Sequence, residues 1–152
     1  MGRPSASDEE LWEVARVVCL DDLIHRLPMG LDTVVGERGV ALSGGERQRT
    51  ALGRALLRKP RLLLLDDALS AVDSETESRI LDNLRGFLDG VTLVLATHRV
   101  FVAELCDQVL VLEHGRAVQV GTPGELEAVP GHFARIRQLQ SLEREILGNA
   151  SA

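Results

Sequence analysis

Apolar residues in the first third of the chain recur at helical spacing, and from Arg61 onward short unbroken apolar runs take over. Ser7 with Glu10 makes an S-x-x-E capping box, and Leu11, Val14, Ala15 and Val18 follow on one face, so a helix is predicted from Ser7. A second short helix is expected around Leu23 to Leu27, stopped by Pro28. The segment MGLDTVVGERGVALSGG has no sustained period and reads as a glycine-rich loop. A third helix should run from about Gly44 to Arg58, ended by Pro60. Beyond it, RLLLLDD, ETESRILDNLRGFL and VTLVLATH read as strand, helix and strand. Four leucines closed by two aspartates suit a strand buried on both faces, as in parallel sheets covered by helices. Ser74 and Glu77 are the expected cap of the intervening helix, Ile80, Leu81, Leu84 and Leu88 its stripe, and Gly90 its stop. The unit is βαβ, with a crossover expected to be right-handed. QVLVLEHGRAVQVG adds a hairpin turning at EHGR, Thr122 and Glu125 cap another short helix, and His132 to Ile146 form a polar, amphipathic one.

Composition narrows the function classes. At 152 residues, 45% hydrophobic and 26% charged, the chain reads as one soluble globular domain or a piece of one. Seventeen Lys and Arg stand against 23 Asp and Glu, which argues against a general electrostatic grip on nucleic acid, so a bound anion must be held locally. Cys19 and Cys106 sit in apolar stretches without C-x-x-C spacing and read as buried free thiols, suited to a reducing cytosol. No apolar run approaches the roughly 20 residues that cross a bilayer, and no membrane span is predicted. The first residues lack an apolar signal region, and Ala6 stands where a myristoylation signal needs Ser or Thr. Work at a membrane would require docking onto another component.

Three places carry candidate chemistry. In LSGGERQR, Leu42 to Arg49, Ser43 is an N-cap followed by glycine N–H groups at a helix start, where the macrodipole favours an anion. An ordinary capping box of Ser43 with Glu46 is the bland alternative. Two glycines in a first turn cost about 1 kcal/mol each relative to alanine, which a cap alone does not require; close backbone approach to a ligand accounts for them better. Asp66 and Asp67 close an apolar strand at the carboxyl edge, where open α/β sheets place ligands; they are either a solvated pair or a site in which Asp66 takes Mg²⁺. His98 follows the second strand at the same kind of edge, whereas His25, His114 and His132 read as surface residues. Taken alone, His98 could equally be a structural side chain.

LSGGERQR, LLLLDD, ALSAVD and THR follow one another with the order and spacing of ABC-type ATPases, and together they resemble the nucleotide-binding domain of ABC exporters. LSGGE resembles the signature, LLLLDD the Walker B strand, ALSAVD the loop after it and THR the switch-histidine segment. TVVGERG, Thr33 to Gly39, looks like the segment that touches the membrane domain, and VLEHGRAVQVGTPGEL like the family's strand pair and following helix. The resemblance runs from about Ser7 to Leu139. It implies an α/β architecture, a partial P-loop NTPase fold of the ABC ATPase type: a helical subdomain at 7–59, the carboxy-terminal half of a parallel sheet core at 60–130, and a carboxy-terminal helix and tail at 131–152. It also implies ATP and Mg²⁺ as cofactors. Asp66 would coordinate the metal and His98 would reach the γ-phosphate; Asp67 and His98 form the catalytic pair. Ser43, Gly44, Gly45, Glu46, Gln48 and Asp73 would face nucleotide, the signature acting on ATP held by a second, head-to-tail domain.

Two departures qualify the resemblance. No G-x-x-x-x-G-K-[ST] occurs, and the only lysine, Lys59, precedes Pro60, so the phosphate-cradling loop is missing and the sequence reads as a fragment of the domain. The family's catalytic glutamate is replaced by Asp67, one methylene shorter. A general base must come within about 2.6 to 3.2 Å of its proton, so hydrolysis at this site should be slow. That pattern resembles the impaired half of heterodimeric exporters, located at the cytoplasmic face of the membrane through an attached membrane domain. The alternatives are a soluble ABC-type ATPase of DNA repair or translation, and a non-catalytic interaction module.

Overall fold

The computed structural model describes residues 3–36 and 39–149, which fall into two compact units, 1–96 and 97–152. The first unit contains α1 (Asp8–Val17), α2 (Asp21–Arg26), a 3₁₀ turn (Gly30–Asp32), α3 (Gly44–Leu56), β1 (Leu62–Asp66), α4 (Ser74–Phe87) and β2 (Thr92–Ala96). The second contains α5 (Val100–Ala103), β3 (Val109–Glu113), β4 (Arg116–Gly121), α6 (Pro123–Ala128) and α7 (His132–Asn149).

Helix α1 starts where its capping box dictates: Glu10 N–H donates to Ser7 Oγ (3.3 Å), and Glu10 Oε2 accepts from Ser7 N–H (3.1 Å). Its apolar face meets α3 and α4. Val14 and Val18 from α1 and its C-cap, Leu52 and Leu56 from α3, and Ile80 and Leu84 from α4 are all buried, and each such side chain contributes about 1.5–3 kcal/mol of burial. Gly53 lets α3 close on α1, since a Cβ there would lie 3.3 Å from Val14 Cγ1. Asn83 of α4 donates to the carbonyls of Arg16 (3.3 Å) and Val17 (3.2 Å), in the last turn of α1, where carbonyls run out of intrahelical partners.

Strands β1 and β2 run parallel in the register Leu62↔Thr92 through Asp66↔Ala96, with α4 between them in sequence. The expectation of a strand buried on both faces is corrected. Leu63 and Leu65 are buried, whereas Leu62 and Leu64 are 52% and 66% exposed, because one face of this two-stranded sheet is left uncovered among the described residues. The cap of α4 is also corrected by one residue. Asp73, extended at φ −64° and ψ 154°, accepts from Thr76 N–H through its side chain (2.9 Å), while Glu77 is buried at 4% exposure and unavailable for a solvent-facing box. Helix α4 ends at Phe87, and Gly90 at φ +70° turns the chain toward β2.

In the second unit, β3 and β4 pair antiparallel through a two-residue turn, His114 and Gly115, both at positive φ as a type I′ turn requires. Thr122 and Glu125 form the expected reciprocal box on α6. Val100, Leu126 and Phe133 make the core of this unit, with Val109, Val111 and Ile136 against it. The four-residue helix α5 is too short to leave a period in the apolar pattern, and the sequence does not announce it. No helix among the described residues is long and apolar enough to cross a membrane.

Candidate functional site

Helix α3 begins at Ser43, whose backbone is extended (φ −61°, ψ 168°). Glu46 N–H donates to Ser43 Oγ (3.2 Å), and Glu46 Oε2 accepts from Ser43 N–H (2.7 Å). The box therefore satisfies the two outer donors of the helix start. The Gly44 and Gly45 N–H groups between them have no intrahelical acceptor, as at any helix N-terminus, and Ser43 is exposed beside them. The hydrogen bond from Ser43's backbone, above all, holds the Glu46 carboxyl below the ordinary glutamate value, so this carboxylate stays ionised and committed to the cap.

The glycines have a second use that sequence reading misses. A Cβ on Gly45 would stand 2.7 Å from the Ala71 carbonyl oxygen, and one on Gly44 would stand 3.3 Å from Ala71 Cβ. The loop after β1 thus lies directly on the first turn of α3. Packing alone is enough to require glycine at position 45, a reason that stands beside the close approach to a ligand expected from the sequence. One turn further along α3, the Gln48 carboxamide grips the same loop from both ends: Nε2 donates to Ser70 Oγ (3.0 Å) and Oε1 accepts from Ala71 N–H (2.9 Å). Arg49 reaches back to the Cys19 carbonyl, tying α3 to the end of α1.

That loop starts at Asp67, which occupies the left-handed region at φ +45°, a conformation that aspartate tolerates better than most residues. Its N–H donates to the Ala96 carbonyl (3.0 Å), and its own carbonyl accepts from Ser70 N–H (3.2 Å). Leu69 and Val72 are buried and anchor the loop; Asp73 then caps α4, and the bond from Thr76 N–H lowers its carboxyl below the ordinary aspartate value. Asp66 and Asp67 are both exposed at the carboxyl end of the parallel pair. No group of three or more His, Cys, Asp or Glu side chains that could hold a metal occurs among the described residues. A single exposed carboxylate nonetheless fits Mg²⁺, which keeps several waters and needs few protein ligands.

The first unit therefore holds the signature start, the loop and both strand-end carboxylates. His98 belongs to the second unit, exposed two residues after β2. Its carbonyl accepts from Gln140 Nε2 (2.9 Å), and Arg99 N–H donates to Thr97 Oγ1 (3.1 Å). Sequence reading does not single out Gln140; the one available signal is its place on the stripe of Phe133 and Ile136. In the segment Thr33 to Gly39, Glu37 and Arg38 lie outside the described residues. On either side of them, Val40 N–H donates to the Val34 carbonyl (2.9 Å), and Val34 and Val35 are exposed. Cys19 and Cys106 form no disulfide and are half-buried rather than buried as expected, and burial raises the Cys19 thiol above its ordinary value.

Comparison with known proteins agrees with these motifs. The family model described as ABC transporter matches residues 5–70. The multidrug resistance-like ATP-binding protein MdlA of Escherichia coli is 43% identical over 143 residues, covering 94% of this chain and 24% of that protein. The ATP-dependent lipid A-core flippase of Chromohalobacter salexigens is 44% identical over 144 residues, covering 95% and 25% respectively. A bacterial Atm1-family ABC exporter solved with ATP bound superimposes with a TM-score of 0.81 at 40% identity, over 91% of this chain and 24% of that one. The chain thus spans about a quarter of the length of these relatives. In motif order, sequence identity and fold, the chain is similar to the ATP-binding part of ABC exporters.

Proposed function

We propose that this chain is part of the nucleotide-binding domain of an ABC exporter, in which ATP binding and hydrolysis drive movement of attached membrane helices. The start of α3 carries the proposal: its capping box leaves the Gly44 and Gly45 N–H groups beside the Ser43 hydroxyl, three donors suited to phosphate oxygens at the positive end of a helix. In a head-to-tail pair of domains these donors act on ATP held by the partner. Glu46 contributes by holding the cap, and Gln48 by holding the loop that leads to Asp73, which faces the partner's site.

The chain's own site is the weaker one. Asp66 offers one carboxylate to Mg²⁺, which when bound with ATP supplies charge neutralisation at the phosphates. His98 reaches toward the γ-phosphate. Asp67 takes the general-base position with a carboxylate one methylene short, and its left-handed backbone fixes where that short arm starts. A heterodimeric partner with a competent site completes the arrangement, and the segment Thr33 to Gly39 docks the membrane domain, placing the chain at the cytoplasmic face of the membrane.

The reading is tested in the assembled transporter. Ser43→Arg, which fills the signature's open face, should abolish vanadate trapping of nucleotide at the partner's site; undiminished trapping rejects the signature's role in trans. Asp67→Glu should raise turnover at the chain's own site, and no change there means that Asp67 does not limit hydrolysis.

A further inference from the structure

Gln140 lies on the core-facing stripe of α7. Phe133 and Ile136 precede it by seven and four residues and pack in the cluster of Val100 and Leu126. A leucine would continue that stripe, and a half-buried carboxamide needs polar partners instead. It has two. Oε1 accepts from Val100 N–H (2.9 Å), and Nε2 donates to the His98 carbonyl (2.9 Å).

The first bond answers a local need. Helix α5 has Arg99 at its N-cap, a side chain with no acceptor, so α5 cannot cap itself. Val100 is 7% exposed, and its N–H would otherwise be buried unsatisfied. Gln140 caps α5 from another helix. The second bond continues from the same carboxamide to the residue before the cap. With Thr97 Oγ1 accepting from Arg99 N–H (3.1 Å), the backbone from the His98 carbonyl to the Val100 N–H is held at three points.

We infer that Gln140 is a positioning residue for His98. It fixes the backbone from which the imidazole projects, and it makes docking of α7 a condition of that placement. The inference rests on the reading of His98 as the group that reaches the γ-phosphate.

Two measurements test it. The first is amide exchange in the chain itself. Gln140→Leu continues the apolar stripe and keeps α7 docked, and it should speed exchange at Val100 about two- to tenfold, the size of one lost hydrogen bond. Gln140→Glu keeps the acceptor oxygen and should restore protection at Val100. Amides around Phe133 and Ile136 should keep their rates in both variants. Unchanged exchange at Val100 in Gln140→Leu overturns the tether. The second measurement is the ratio of ADP to ATP dissociation constants at the site containing His98, in the assembled transporter. His98→Ala should remove the preference for ATP. Gln140→Leu should lower it severalfold and add nothing on the His98→Ala background, whereas a purely structural loss would weaken both nucleotides equally. If His98→Ala leaves the preference intact, the reading of His98 fails and the positioning role with it, while the exchange result still decides the tether. If only His98→Ala has an effect, the positioning role alone is overturned.

Discussion

Two loops, one after each parallel strand, carry the residues expected to do chemistry, and each is gripped by both ends of a glutamine carboxamide. The loop after β1 is fastened redundantly. Leu69 and Val72 are buried, Ala71 rests on Gly45, and Gln48 adds two hydrogen bonds from a helix only 22 and 23 residues upstream. The segment after β2 relies on buried Val100 and on polar bonds at Thr97 and Gln140, the latter 40 and 42 residues downstream. Shape complementarity packs the first loop directly against Gly44 and Gly45. The second depends more on polar bonds, two of them from one distant side chain.

The contrast can be broken most severely at Gly45. Gly45→Ala drives a Cβ against a backbone carbonyl that cannot swing away and should cost about 1–3 kcal/mol by denaturant unfolding. Gly44→Ala meets the Ala71 methyl at 3.3 Å and the end of the Arg47 side chain at 4.0 Å, and should cost less. Gln48→Ala comes next, expected to cost about 1–2 kcal/mol, with faster exchange at the Ala71 amide that Gln48→Glu restores through its acceptor. Gly86, in the last turn of α4, is the control: an added methyl there would meet nothing within 4 Å, and Gly86→Ala should stabilise by about 0.4–1 kcal/mol. The smallest expected effect is a pH dependence. Glu46 and Asp73 both have folded-state values lowered by hydrogen bonds, so their contribution is present above the ordinary values of 4.5 and 3.8 and is lost as pH falls through the lowered ones. Unfolding midpoints should therefore drop below about pH 4.5, and Asp73→Asn, which can still cap, should flatten the Asp73 part of that slope. A slope unchanged by Asp73→Asn assigns the titration elsewhere.

Whatever depends on near neighbours was legible in the sequence. Caps at Ser7, Ser43 and Thr122, the βαβ order and the hairpin at His114 and Gly115 all follow from spacings of a few residues. The start of α4 is ambiguous in sequence because Asp73 with Thr76 and Ser74 with Glu77 both fit a cap, and only tertiary burial of Glu77 decides between them. Gln48 and Gln140 are opaque for the same reason. On a helix surface a glutamine looks like any solvated polar residue, and its partners are named only when distant backbone arrives. The motifs around Ser43, Asp66 and His98 are readable as patterns, but the packing that fixes Gly45 is not, since a carbonyl oxygen leaves no trace in side-chain chemistry.

The alternation along β1 carries a practical lesson about handling the molecule. Leu62 and Leu64 of the four-leucine run, with Val94, present an exposed apolar surface on a sheet of two strands. Made by itself, the chain should therefore behave as a sticky colloid, its scattering rising with concentration and its yield limited by association during refolding. Replacing Leu64 by a charged residue should improve recovery without disturbing Leu63 or Leu65, which face the other way.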